Sequence, residues 1–153
     1  MSRSGYNDDF DYDHWSLIRW RGAVASALRG KRGQAFLKEM LIALDALPYH
    51  VLVQNELETS IPMSFSHWGM HPVETVCALG AVGKARGLNM TLLDPEDSAT
   101  VAGVFDIAEA MAREIVYVND ECNYYHISPE KRYNEMVAWI KGQIKNENGK
   151  QEI

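Results

Sequence analysis

The chain has only two cysteines, Cys77 and Cys122, in 153 residues. That scarcity excludes a disulfide framework and leaves two reduced, half-buried thiols as the reading. No apolar run approaches the roughly 20 residues that cross a bilayer. The opening "MSRSGYNDDFDYDHW" lacks the apolar stretch of a signal region. A soluble cytoplasmic protein without a targeting segment is therefore expected. Phosphate-loop spacing is also missing, since Gln34 and Ala35 follow Gly33 where Lys and Ser or Thr would be needed. No GxGxxG follows a strand, nothing resembles GxSxG or HExxH, and no triad can be assembled by spacing. The enzyme case is weak, and no cofactor is expected. Positive charge is absent over a long stretch, for residues 42–83 hold four acids and neither Lys nor Arg. With a net charge of −6, the chain lacks the broad basic face that nucleic-acid binding needs.

What is present suits one ordinary domain long enough to bury a core. Residues 1–13 hold Arg3 against four Asp and read as an acidic flexible arm; 14–145 read as the single globular domain; 146–153, with the polar "NENGKQEI" over 146–153, read as a disordered tail. The predicted fold class is α+β, mostly helical, with about five helices and one small antiparallel β-hairpin. Leu17, Trp20, Val24, Ala27 and Leu28 recur at helical spacing and predict a helix from about Trp15 to Leu28. Phe36, Leu37, Met40, Leu41 and Leu44 form the stripe of a second, from about Gln34 to Leu47, stopped by Pro48. Alternation in "YHVLVQNELETSIPMSFSHW" predicts the hairpin, with its loop near Glu58–Pro62. The small residues of "VETVCALGAVGKARG" suit a short, closely packed helix, with Gly87 as C-terminal cap.

In "LDPEDSATVAGVFDIAEAMAREIVYVND", Asp94 is placed to cap a helix with Pro95 at its first position, ending near Phe105. Asp106 then caps another, from about Ile107 to Val118. In "SPEKRYNEMVAWIKGQI", Ser128 caps and Pro129 opens a last helix with Tyr133, Met136, Val137, Ile140 and Ile144 on its stripe. Predicted core residues are Phe36, Leu37, Met40, Leu41, Leu44, Val101, Phe105, Ile115, Val137 and Ile140.

Residues 14–41 concentrate cations, six against Glu39. At their centre, "RGKRG" (Arg29 to Gly33) sets three cations and two glycines before the second helix. A solvated turn is the first reading. Contact with an anion or an acidic partner, through Arg29, Lys31 and Arg32, is the second. A left-handed backbone at Gly33 would make that glycine matter for folding.

The "SATVAGVFDIAEAMAREIVYV" region has helix–turn–helix spacing. With the cluster Arg19, Arg21, Arg29, Lys31 and Arg32 it keeps a nucleic-acid regulator as an alternative, although Asp106, Glu109 and Glu114 would repel phosphates. A small metal-dependent enzyme is the other alternative, through Asp120 and Glu121 or the pair His67 and His71 in "HWGMH". Gly69 and Pro72 oppose the helix that this pair would need. Trp and Tyr at several element ends read first as core and boundary packing and second as interface anchors.

The segments "RGKRGQAFLKEMLIALDALP", "VCALGAVGKARG", "LDPEDSATVAGVFDIAEAMAREIVYVND" and "SPEKRYNEMVAWIKGQI" resemble an uncharacterised family of small bacteriophage and prophage proteins, over about residues 14–145. In that family Gly is usual where Asp106 stands, and the insert around 49–75 is shorter. The resemblance implies a phage accessory gene expressed in a bacterial cytoplasm and brings no site residues with it. Small acidic phage proteins often block host immunity, as anti-CRISPR proteins do, by occupying a basic, nucleic-acid-handling surface. The expected function is thus an accessory binding protein, an inhibitor of a host defence complex acting by protein–protein contact. The expected interface is Glu56, Glu58, His67, Trp68 and His71. A host protein or complex is the expected partner, nucleic acid is the weaker candidate, no membrane is involved, and a homodimer stays open.

Overall fold

The two amphipathic stripes that begin the domain form the helices α1 (His14–Arg29) and α2 (Lys31–Asp45). The structure is a computed structural model and describes residues 3–6, 14–65, 69–121 and 127–145. Only Gly30 separates the two helices, so most of the basic stretch is helical rather than a turn. Gly33 lies inside α2 and is buried. The described residues with positive φ are Gly5, Asn55, Gly69, Gly87 and Asp106, so the left-handed expectation for Gly33 is corrected. Its role is close approach: a Cβ there would stand 1.9 Å from the carbonyl oxygen of Ala27 on α1.

A two-stranded antiparallel hairpin follows, β1 (Glu58–Phe65) and β2 (Gly69–Val76). The expected loop at Glu58–Pro62 is in fact strand, and the connection falls after Phe65. Pro62 stands directly opposite Pro72. Two residues without N–H can face each other only at a pair that exchanges no backbone bonds, and such a pair exists because both N–H positions point out of the ribbon. The alternation of 51–53 belongs to an extended segment that joins no strand. It is tied by Leu52 N to Pro129 O at 3.1 Å and by Val53 N to Val76 O at 3.0 Å.

Four more helices follow among the described residues: α3 (Ala78–Ala85), α4 (Ser98–Phe105), α5 (Glu109–Asp120) and α6 (Pro129–Gln143). The described residues thus hold six helices and one hairpin, the mostly helical α+β fold expected, with the small-residue segment forming the short helix predicted for it. Cys77 caps α3, its sulfur accepting from Gly80 N. Gly87, left-handed at φ 71°, ends that helix as expected. Asp97, not Asp94, caps α4, accepting from Thr100 N at 3.2 Å; Asp94 instead accepts from Glu96 N in the preceding turn. Asp106 does not cap α5. It closes α4 in the left-handed conformation, at φ 56° and ψ 49°, the place where Gly costs least. Ser128 and Pro129 open α6 as predicted.

Helix α5 is the hub, touching α1, α3, α4 and α6, while α2 touches α1, α3 and α6. Of the expected core, Leu41 and Val137 are half-buried against it and the other eight are buried. Leu52, Leu79, Met111 and Met136 join them. Residues 3–6 correct the expectation of a flexible arm at its first described residues. Arg3 and Ser4 are buried, and Tyr6 stacks on Tyr117 of α5 with ring centres 4.8 Å apart. No helix among the described residues is long and apolar enough to cross a membrane.

Candidate functional site

The hairpin leaves the helical body at its base, where Thr75 and Val76 are buried. Cross-strand pairing puts Ile61 opposite Val73 and Met63 opposite His71 on one face. Ile61, Met63 and Val73 are half-buried, yet none joins the hydrophobic core of the described residues or its half-buried margin. On the other face Ser60 stands opposite Glu74 and Ser64 opposite Met70, and Met70 is 61% exposed. Both outer edges carry backbone groups with no further strand among the described residues. The facing prolines interrupt each edge, which guards it against indiscriminate strand addition.

At the hairpin base a groove of about 450 Å³ opens between residues 55–58 and the loop 90–96, its apolar lining Leu57, Met90, Leu93 and Pro95 and its acids Glu56, Glu58 and Glu96. Leu57 and Met90 are buried beneath it. Asn55 holds a left-handed conformation at φ 68°, and its N–H donates to Asp120 Oδ1 at 3.2 Å. Gln54 donates to the Asp120 carbonyl at 2.9 Å. One wall of the groove is therefore anchored to α5.

Two of the expected interface residues, Glu56 and Glu58, line this groove and are exposed. His71 lies on the distal part of β2, away from it. His67 and Trp68 lie outside the described residues. Because His71 is on a strand, the helical spacing proposed for a His67–His71 metal pair does not apply to it. No group of three or more His, Cys, Asp or Glu among the described residues could hold a metal ion.

The basic residues Arg29, Lys31 and Arg32 are exposed around Gly30, beside a cleft of about 220 Å³ that Ile107, Ala108 and Met111 close from the far side. Arg32 reaches Asp106 at 3.4 Å, with both side chains well exposed. Lys145 Nζ donates to the Arg29 carbonyl at 2.9 Å, adding a fourth cation. Gln34 locks the junction, donating to Leu28 O and Gln143 O and accepting from Lys145 N. The first turn of α2 carries two cations and no acid, against the polarity of the helix end.

Asp120 and Glu121 are committed to structure. Asp120 takes a bidentate ion pair from buried Arg3, at 2.6 and 2.8 Å, and also accepts from Asn119 Nδ2 at 2.7 Å. Glu121 accepts from Ser4 Oγ at 2.5 Å. Burial by itself would lower the Arg3 pKa; Cys77 and Asp120 outweigh it and raise it above its ordinary value. Arg132 donates to the Asn119 carbonyl, and Arg113 to the Ser4 carbonyl at 2.5 Å. With its oxygens saturated, Asp120 is not poised for general acid or base work. The helix that would read DNA is turned inward as well, since Arg113 and Glu114 of α5 are buried.

Comparison with known protein families, with curated proteins and with solved structures finds no match.

Sequence reasoning missed the Arg3–Asp120 pair and the second wall of the groove. The first had one visible signal, a lone cation among four acids in residues 1–13. The second had none, because residues 90–96 read as a loop before a helix.

Proposed function

We propose that this protein is an accessory binding protein that acts by contact with another protein, as an inhibitor of a host defence complex would, in the phage setting that the sequence resemblance implies. One observation carries the reading: the hairpin presents an apolar strip of Ile61, Met63 and Val73 outside the core. These three side chains lie outside the core that Val76 joins at the hairpin base, and apolar residues beside exposed strand edges are what recognition by strand addition uses. The inward face of α5 leaves the nucleic-acid alternative the exposed cations of α1, Arg19 and Arg21, and the basic residues around Gly30.

The test replaces residues 60–74 by a short Gly-Ser turn, keeping the buried Thr75 and Val76. Phage restriction is then measured in cells carrying CRISPR systems of several types, with the intact and the shortened protein. Intact protein should relieve restriction in at least one of them. The shortened protein should melt within a few degrees of the intact one and relieve nothing. Unchanged restriction in every system refutes the anti-CRISPR version, and full activity of the shortened protein refutes the hairpin as the contact.

A further inference from the structure

We infer that the groove at the hairpin base receives a lysine- or arginine-bearing apolar segment of a partner protein. This rests on reading the molecule as a binding protein and names the partner's chemistry. The floor is apolar, with Leu57 and Met90 below and Leu93 and Pro95 at the side. Its volume of about 450 Å³ accommodates a few side chains. The rim carries Glu56, Glu58 and Glu96, and none of the three makes an ion pair among the described residues. No cation among the described residues lines the groove. Leu92, in the loop that forms one wall, is 91% exposed.

Charge selects the occupant. An apolar segment without charge would cover three carboxylates and give them nothing in return, which costs free energy. An acidic segment or a nucleic-acid backbone would be repelled. Lys and Arg lay their methylene stems on apolar surface while the charged head stays at the rim, so they fit both layers of the groove at once. The wall is pre-set by the bonds from Asn55 and Gln54 to Asp120, so little ordering is needed on binding. A second copy fits worse. Its exposed basic stretch, Arg29 to Arg32, holds no apolar side chain to fill the floor, and each copy carries a net charge of −6.

The probe is a short synthetic peptide alternating lysine or arginine with leucine. Its control has every cation replaced by glutamate. Amide NMR shifts of the full chain follow each titration at low salt. The expected result is saturable shifts confined to residues 55–58 and 90–96 with the basic peptide and none there with the acidic one. The combined variant E56Q, E58Q and E96Q, at exposed positions, should melt normally and weaken binding about tenfold, as three surface charge contacts would. Added salt should reduce that difference. Three outcomes overturn the inference: equal binding of both peptides, no shifts in the groove, or groove shifts that appear with protein concentration alone together with a dimer in sedimentation. Loss of restriction relief in the shortened-hairpin test with no peptide binding here overturns the groove alone. Peptide binding with no relief in any system overturns the defence reading alone.

Discussion

Replacing Gly33 with alanine would set a methyl carbon 1.9 Å from the Ala27 carbonyl oxygen and 3.3 Å from Met111 Sδ. Side-chain β-carbons do not approach closer than 3.0 Å, so α1 and α2 would have to separate by about 1 Å. The oxygen belongs to helix backbone and cannot swing aside as a side chain would. The clash therefore falls at the upper end of the usual overpacking cost, about 3 kcal/mol. Alanine's better helix propensity returns about 1 kcal/mol. The net loss is about 2 kcal/mol, or about 4–8 °C in Tm for a chain of this length. Gly22, inside α1, has nothing within 4 Å of a Cβ. There the propensity gain stands alone, and Gly22→Ala should raise Tm by about 2–4 °C. Thermal melts of the two variants, followed by circular dichroism, test the sign as well as the size. If Gly33→Ala melts at or above the parent temperature, the close α1–α2 contact is wrong. If both variants fall together, the glycines act through something other than space.

Asp120→Ala strips the buried Arg3 of its ion pair, and an unpaired buried charge costs about 3–5 kcal/mol; denaturant melts should show that loss, and a comparable one for Arg3→Met, which leaves the buried Asp120 carboxylate without its cation. Asp106→Gly relieves a left-handed residue at the end of α4 and should stabilise by about 0.5–1 kcal/mol, measured by the same melts. Lys31→Ala and Arg32→Ala, at exposed positions, should each shift stability by less than about 0.5 kcal/mol. The Arg86 guanidinium, bonded to Glu39 at 2.6 and 2.8 Å, holds the Glu39 carboxyl below its ordinary value of 4.5. A lowered folded pKa means that the contribution is present above 4.5 and is lost as pH falls through the folded value. Glu39→Gln should therefore flatten the decline in stability below that pH, and an unchanged pH profile would count against the pair.

Local chemistry was legible wherever its cause lay within a few residues. The stripes of α1, α2 and α6, the Ser128–Pro129 start and the Gly87 stop all follow from side-chain spacing and short-range backbone bonds, and the structure has them. Where two local signals competed, position slipped. "DPED" offers two capping aspartates, and the helix took the second. The proline in Glu58–Pro62 suggested a loop, although an edge ribbon tolerates proline where no N–H is needed. Of the candidate site, Glu56 and Glu58 were readable as exposed acids in a segment without cations. The groove beside them was not, because its other wall arrives from residues 90–96.

By itself, then, the sequence determined the helix periods, the Ser128 and Gly87 caps, the presence of a hairpin and the uneven charge. Tertiary structure alone decided what each polar side chain faces. Arg3 meets Asp120 across 117 positions of chain, and Gly33 is required by the oxygen of a neighbouring helix. Propensity and periodicity act over one or two turns of backbone. A contact between residues far apart depends instead on how every intervening element packs, and no local pattern carries that information.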